Sequence, residues 1–181
     1  MWRWFQFAIV GVVLSLLPAN GCAQQTEEYR VKAAFLFHFV QLVDWPVPAA
    51  GDENKPLTLC TIGQDSFGGD LEITFQGKSI GAHPLQIRHL KQSQEAAGCQ
   101  VVFIGSRDRK QISSVLAALK DEAVLTVGES DDFAKEGGMI GFSMDKGKVR
   151  FDINVDAAAS VKLKISSRLL LLAKSVIGNR S

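Results

Sequence analysis

Two short apolar runs constrain the fold of this chain more than any other feature. They are LTLCTIG at 57–63 and CQVVFIG at 99–105, and neither keeps a strict apolar-polar alternation. A strand with one face in water does alternate, so these runs indicate strands that are covered on both faces. Such strands belong to parallel or mixed sheets with helices on either side. The sequence therefore predicts an α/β fold with a mixed, mainly parallel central sheet flanked by helices.

Three helical segments fit this layout. The first is predicted at about 27–44 and is stopped by Pro46, and the second is predicted at 108–119. The third is a final amphipathic helix that starts from a cap at Ser166 and ends at Gly178.

The clearest hairpin lies in the C-terminal half of the chain. Apolar residues alternate along both of its arms, at Ile140, Phe142, Met144, Val149, Phe151 and Ile153. A three-residue turn at 145–147 is predicted to join the arms of this β-hairpin, because Gly147 tolerates a positive φ. One face of the hairpin is expected to face the core. Further strands are predicted at 123–127 and within 77–90, where Gly81 and Pro84 divide the segment into two short strands.

The helix at 27–44 is apolar over a wide arc. At about 100° per residue, Val31, Phe35 and Phe39 share one side with His38, and a second apolar side leaves only a narrow strip for water. Such a helix packs on more than one side. We expect His38 to be a core histidine rather than a general base.

The chain has three cysteines, two of which lie in the apolar runs. Cys60 and Cys99 are 39 positions apart, and in an oxidising compartment such a pair indicates one disulfide. The alternative is two buried free thiols. A metal site is not favoured, since His38, His83 and His89 show no ligand spacing with these cysteines.

The N-terminus has the order of a secretory signal. Arg3 is its only charge, and an apolar run from Phe5 to Leu17 is followed by small residues. The run is shorter than the roughly 20 residues that span a bilayer. We expect residues 1–23 to be removed, leaving a single domain at 24–181 with no membrane span; the alternative is a lipoprotein site that keeps and acylates Cys22.

Loss of the signal balances the charge of the remaining chain. One of the 20 basic residues is removed, so 19 basic residues stand against 19 acidic ones. A neutral domain lacks the basic footprint of a nucleic-acid-binding protein, so no nucleic-acid partner is expected.

Few residues of this sequence are candidates for catalysis. Ser66 follows a strand but lacks the spacing of a nucleophile elbow, and no cofactor motif is present. An anion site is conceivable at Ser106 and Arg107, where a strand runs into a helix. The alternative is that Ser106 or Asp108 only caps that helix. We predict that the chain is not an enzyme and holds no metal or cofactor.

Several segments together resemble one known family. They are YRVKAAFLFHFVQLVDWP at 29–46, LTLCTIG at 57–63, GCQVVFIG at 98–105, GGMIGF at 137–142, VRFDIN at 149–154 and KISSRLLLLA at 164–173. In this order and spacing they are similar to the YfiR family of periplasmic repressors of inner-membrane diguanylate cyclases.

The resemblance implies a periplasmic α/β domain that often forms homodimers and has no known catalysis. It implies binding to the periplasmic sensor domain of a membrane enzyme, which restrains cyclic di-GMP synthesis. It also implies that Cys60 and Cys99 are the long-range disulfide pair of the family. Some members carry a second cysteine pair late in the chain, and this sequence does not.

Two surfaces follow as candidate sites. The first binds a protein partner through Phe142, Arg168 and Leu171, the last of which does not fit the apolar face of the predicted final helix. The rival function is a small-molecule-binding module that uses Ser106 and Arg107, or the basic residues Lys164 and Arg168, around a pocket. An enzyme acting on the cell envelope is a third alternative.

Overall fold

The computed structural model describes residues 20–46, 55–64 and 66–178, without the side chains of residues 20–24. The predicted signal peptide, with the alternative lipid site at Cys22, therefore lies outside the described residues except for a stretch of helical backbone. The single-domain prediction for 24–181 stays a prediction.

Helices and strands alternate along the chain. The α-helices are α1 (Asn20–Leu42), α2 (Asp70–Phe75), α3 (Arg109–Ala118), α4 (Val155–Ser160) and α5 (Ser167–Leu172), with a short 3-10 helix at Ser93–Ala96. The strands are β1 (Val43–Asp44), β2 (Leu57–Gly63), β3 (Ser79–Ile80), β4 (His83–Leu90), β5 (Val101–Gly105), β6 (Leu125–Gly128), β7 (Ile140–Asp145), β8 (Lys148–Asn154), β9 (Lys164–Ile165) and β10 (Ser175–Ile177).

One large sheet organises these elements. Its strand order is β10-β8-β7-β6-β5-β2-β4-β3, and the five strands from β4 to β7 in that order are all parallel. Antiparallel pairing occurs between β7 and β8 and between β3 and β4, while β10 runs parallel to β8. The predicted mixed, mainly parallel α/β sheet is confirmed.

Both faces of the central strands are covered, as their continuous apolar sequences predicted. The cluster on the α1 side includes Phe39, Phe103 and Phe151. The cluster on the opposite side includes Ile112 of α3 and the disulfide cysteines. At about 25 cal/mol per Å² of apolar surface, this double burial is the main favourable term that holds the sheet.

Helix α1 packs against α2, β8 and α5, which agrees with its wide apolar arc. His38 was expected in the core, and this was wrong: its side chain is exposed and lies 3.2 Å from the Gln41 amide oxygen. Buried residues such as Leu36 and Phe39 occupy the neighbouring arcs, so the arc with His38 and Gln41 is left to water.

The turn of the hairpin is tighter than predicted. Asp145 pairs with Lys148, so only Lys146 and Gly147 form the loop, with φ values of 50° and 74°. Positive φ at both central residues is the type I′ turn, whose twist matches that of the two strands. The prediction of three turn residues was therefore wrong, while the core-facing pair Phe142–Phe151 was predicted correctly.

The final helix is shorter than predicted. Ser166 caps it, as expected, by accepting a hydrogen bond from the Leu169 backbone, but α5 ends at Leu172. The Lys174 backbone donates to Phe151, and the following residues pair with β8 as β10. Val176 and Ile177 are β-branched and favour a strand where an open sheet edge accepts them.

The predicted disulfide is confirmed. Cys60 of β2 is bonded to Cys99, which lies two residues before β5, and their Cα atoms are 5.9 Å apart. Both residues are buried, so the bond joins the two central strands inside the core.

We expect the double variant Cys60→Ala/Cys99→Ala to lower the free energy of unfolding by about 3–4 kcal/mol. A bond that closes a loop of this length removes that much chain entropy from the unfolded state. Urea unfolding followed by circular dichroism measures the change. Treatment of the wild-type protein with a reductant under denaturing conditions, followed by refolding, should give the same loss. A wild-type protein as stable after reduction as before would contradict the prediction.

Candidate functional site

Helix α5 presents two leucines to solvent. Leu169 anchors the helix in the core, whereas Leu171 is 85% exposed and Leu172 is 55% exposed. Helix α5 has only six residues, after which the chain turns into β10, and among the described residues nothing buries these two side chains. Arg168 lies exposed on the same short helix. We call Arg168, Leu171 and Leu172 the α5 surface.

All charged side chains in the chain segment that contains α5 are basic. Residues 161–178 contain four basic side chains and no acidic one, although the whole chain has a net charge of only +1. The four are Lys162, Lys164, Arg168 and Lys174, and all are exposed. The α5 surface therefore combines exposed apolar area with Arg168 and three further basic side chains of its own segment, although Asp44 lies opposite Lys164 on the paired strand β1.

Phe142, the third predicted partner-binding residue, does not lie on this surface. It is 3% exposed, and its ring stacks on Phe39 of α1 with centroids 5.6 Å apart. Alternation along β7 directs it to the α1 side of the sheet, where β8 and α1 cover it. In this conformation it supports the core and offers no area to a partner.

The candidate anion site at the start of α3 is already satisfied by the protein. The Ser106 hydroxyl accepts a hydrogen bond of 3.1 Å from the Asp108 backbone, and the Asp108 carboxylate accepts one of 2.9 Å from Lys110. Arg107 is exposed. The Asp108 carboxylate thus occupies the position at the start of α3 where an anion would bind. This agrees with the alternative in which Asp108 caps the helix.

Lys164 is far from Ser106 and Arg107. Lys164 of β9 lies opposite Asp44 of β1 in the strand register. The adjacent Trp45 donates a hydrogen bond to the Gln100 carbonyl at the amino end of β5. Ser106 follows the carboxyl end of β5, and five strand residues span about 16 Å. The structure does not bring these three predicted residues into one pocket.

His89 is part of a hydroxyl-imidazole-carboxylate chain that the sequence did not reveal. Its Nδ1 lies 2.8 Å from the Thr61 hydroxyl and its Nε2 lies 3.0 Å from Glu72. The side chains of His89 and Glu72 are 51% and 50% exposed. Because catalytic groups act in clefts that exclude water, we interpret this chain as a link between α2 and the sheet. His83 contacts only the Lys55 carbonyl among the hydrogen bonds of the described residues.

A buried ion cluster joins α1 to the carboxyl end of β6. Lys32 is 4% exposed, and its ammonium lies 2.6 Å from Glu129 and 2.5 Å from Glu28. The Tyr29 hydroxyl donates to the same Glu129 carboxylate at 3.0 Å. Sequence reasoning missed this cluster because Glu129 is 97 residues from Lys32; the spacing of Glu28 and Lys32 was the only local sign.

The surroundings of this cluster shift two pKa values. Burial alone would lower the pKa of Lys32, but the hydrogen bonds and charges of Glu129 and Glu28 outweigh it, so the pKa is raised. Burial raises the pKa of Tyr29, and the negative charge of Glu129 adds to this, while a hydrogen bond with Ser66 opposes it. Ser66, considered above as a nucleophile, is thus a neighbour of Tyr29.

Two absences hold for residues 20–46, 55–64 and 66–178. No group of three or more histidine, cysteine, aspartate or glutamate side chains there is placed to hold a metal ion. No helix in those ranges is long and apolar enough to cross a bilayer.

The fold and the α5 surface together define a class: an α/β domain with a mainly parallel sheet, a core disulfide and a small exposed apolar surface. The chain belongs to the YfiR/HmsC-like family, whose model matches residues 29–174. No curated protein shows significant similarity to it.

Two solved structures share the fold. A conserved domain protein from Vibrio cholerae O1 biovar El Tor superposes with a TM-score of 0.55 at 11% identity, over 82% of this chain and 60% of that chain. The ABC domain from Streptococcus pneumonia, in complex with L-Trp, gives a TM-score of 0.53 at 10% identity, over 83% and 60%. The chain thus spans about 60% of the length of these structures, and the likeness concerns the fold alone.

We expect Lys32→Met to lower the free energy of unfolding by about 3–5 kcal/mol, because it leaves the Glu129 carboxylate buried without its cation. The matched control is Lys135→Met, which removes a solvent-screened pair with Asp132 at 2.6 Å and should lower the free energy of unfolding far less. Urea unfolding measures both. Equal losses in the two variants would show that the buried cluster adds nothing.

Alkaline pH should weaken the fold through the same cluster. Lys32 and Tyr29 both hold their protons more tightly in the folded state. Their contribution is complete below the unfolded pKa values of about 10 and is lost as pH rises through the folded values. The urea midpoint should therefore hold up to about pH 10 and fall above it. Lys32→Met should show a smaller fall, and an equal one would contradict the assignment.

Proposed function

We propose that this protein is a periplasmic regulator that binds the periplasmic sensor domain of an inner-membrane signalling protein. The favoured client is a diguanylate cyclase, whose synthesis of cyclic di-GMP the regulator represses. Membership of the YfiR/HmsC-like family over residues 29–174 supports this class of function. The proposal includes no catalytic step and no cofactor; that the chain is not an enzyme stays a prediction.

The observation that carries the proposal is the exposure of Leu171. Because Leu171 is 85% exposed, its side chain contributes little to the stability of the fold. Its full burial by a partner would favour binding by about 1.5–3 kcal/mol. Leu172 enlarges the apolar area and Arg168 supplies a charged rim, which is the usual anatomy of a small interface.

The charge of this region indicates what the sensor domain would present. Four exposed basic side chains and no acidic ones lie within 161–178, so an acidic rim around an apolar recess is the complementary surface. Such complementarity speeds encounter and selects the partner more than it adds affinity. Repression then requires only that the regulator bind the inactive conformation of its client more tightly than the active one.

Export is part of the proposal. Residues 1–23 are removed as a signal peptide, and residues 24–181 act as one periplasmic domain. The alternative is lipid attachment at Cys22, which would hold the same domain at the membrane. The intact mass of the secreted protein distinguishes a chain that begins at Gln24 from an acylated one that begins at Cys22. A homodimer, which the family resemblance implies, also stays a prediction.

We expect Leu171→Ser to abolish repression without loss of stability. The exposed side chain contributes little to the core, so the melting temperature should stay close to that of the wild type. The readouts are cellular cyclic di-GMP in a deletion strain complemented with each variant, and recovery of the client from membranes by affinity capture. Deletion and Leu171→Ser should both raise cyclic di-GMP, and Leu171→Ser should recover less client.

The matched control is Ile73→Ser on α2, since Ile73 is 74% exposed but lies outside the α5 surface. It should repress like the wild type. The proposal is wrong if deletion leaves cyclic di-GMP unchanged and no membrane sensor protein is captured. If Ile73→Ser abolishes repression while Leu171→Ser does not, the docking surface is wrong and lies on α2.

A further inference from the structure

A second candidate site lies on the sheet face opposite α1. Strands β6 and β7 pair at Val127–Ile140 and at Gly128–Gly141. Beyond the Gly128–Gly141 pair, β6 ends and β7 continues along β8 to the hairpin. A cavity of about 230 Å³ opens there, between the segment that follows β6 and the strands β7, β8 and β10.

Two serine hydroxyls in the lining of this cavity have no hydrogen-bond partner. Ser130 and Ser143 each lie two residues beyond the Gly128–Gly141 pair, on neighbouring strand paths. Ser130 is only 7% exposed, and within the described residues neither hydroxyl is bonded to a protein atom. Buried hydroxyls are almost always paired in folded proteins. Two adjacent exceptions in one cavity therefore point to a ligand that carries hydrogen-bonding groups.

The charges around the cavity select the class of ligand. Its lining includes three carboxylates, of Asp131, Asp132 and Asp152, against the two ammonium groups of Lys135 and Lys174. An anion would meet a net negative charge and is disfavoured. Asp132 is paired with Lys135, and Asp152 accepts a hydrogen bond from Ser175, so the charged groups are partly neutralised by the protein. Mixed donors and acceptors of this kind suit hydroxyl groups, which both donate and accept.

The size and the apolar part of the cavity narrow the class further. A volume of about 230 Å³ is below that of pockets for drug-sized ligands and matches a single small ring. Ile177, which is partly exposed, contributes apolar lining that suits the apolar face of a sugar ring.

We propose that this cavity binds a small neutral polyhydroxylated molecule, of the size of one monosaccharide, and that the Ser130 and Ser143 hydroxyls, which the protein covers in this structure, turn about χ1 to hydrogen-bond it. Binding involves the isolated protein and no client, so the proposal stands or falls independently of the regulatory function.

Isothermal titration calorimetry with glucose, N-acetylglucosamine and myo-inositol tests the proposal on protein expressed from the full-length sequence. At least one of the three should bind with a Kd of about 1 mM or tighter. The double variant Ser130→Ala/Ser143→Ala should weaken that binding at least about tenfold, because two hydrogen bonds are lost. The control is Ser113→Ala on exposed α3, whose hydroxyl donates to the Arg109 carbonyl at 2.7 Å; it should bind like the wild type.

The melting temperature without sugar gives a second readout. Removing two unpartnered hydroxyls should leave it unchanged or raise it, so the double variant folds and its binding can be measured. A short soluble oligosaccharide of the binding sugar separates a polymer end from a free sugar as the source. The proposal is overturned if none of the three probes binds, if the double variant binds as tightly as the wild type, or if its melting temperature falls, which would mean that the hydroxyls are already paired.

Discussion

The pairing of β2 with β5 is the constraint on which the rest of the structure depends. These strands occupy the middle of the sheet, and the Cys60–Cys99 bond ties them covalently. At their carboxyl ends the two backbones nearly touch: the Gln64 amide donates to the Gly105 carbonyl at 2.9 Å, and a Cβ on Gly63 would lie 2.7 Å from the same oxygen. Side chains are excluded there, and Gly63 also has a φ of +98°. The other strands of the large sheet lie outward from this pair on both sides, and α1 and α3 cover its two faces.

The buried ion cluster fixes where α1 lies along the sheet. Burial of α1 fixes that it lies on the sheet, but apolar contacts alone tolerate sliding along the helix axis. The contact of Lys32 with Glu129 has no such tolerance, because a displaced lysine would leave one carboxylate buried and unpaired. It therefore fixes the N-terminal half of α1 at the carboxyl end of β6. At the other end of α1, β1 pairs with β9 and the Leu42 carbonyl accepts from Ser166, which positions α5.

Secondary structure was predicted correctly where the apolar pattern of a segment fits only one type of element. It was predicted wrongly where the pattern fits both a helix and a strand. The run at 57–63 has no helical reading, and its predicted bounds equal those of β2. The C-terminal apolar residues fit a helix by spacing, but Val176 and Ile177 also fit a strand, and the open edge of β8 decided the outcome. The α5 surface was partly predictable because Leu171 broke the helical pattern. The sequence did not predict the Lys32 cluster or the depth at which Phe142 is buried, since their surroundings come from residues that are remote in sequence.

The two proposed sites are linked through a short piece of chain. Leu172 belongs to the α5 surface, and two residues later Lys174 lines the cavity on the other face of the sheet. Only the extended residue Ala173 separates them. Proximity alone does not make a ligand of the cavity a signal. A sugar that binds the free and the client-bound regulator equally tightly shifts nothing, however tightly it binds. If it binds the two forms with different affinities, then linkage requires that the client change the affinity for the sugar by the same factor.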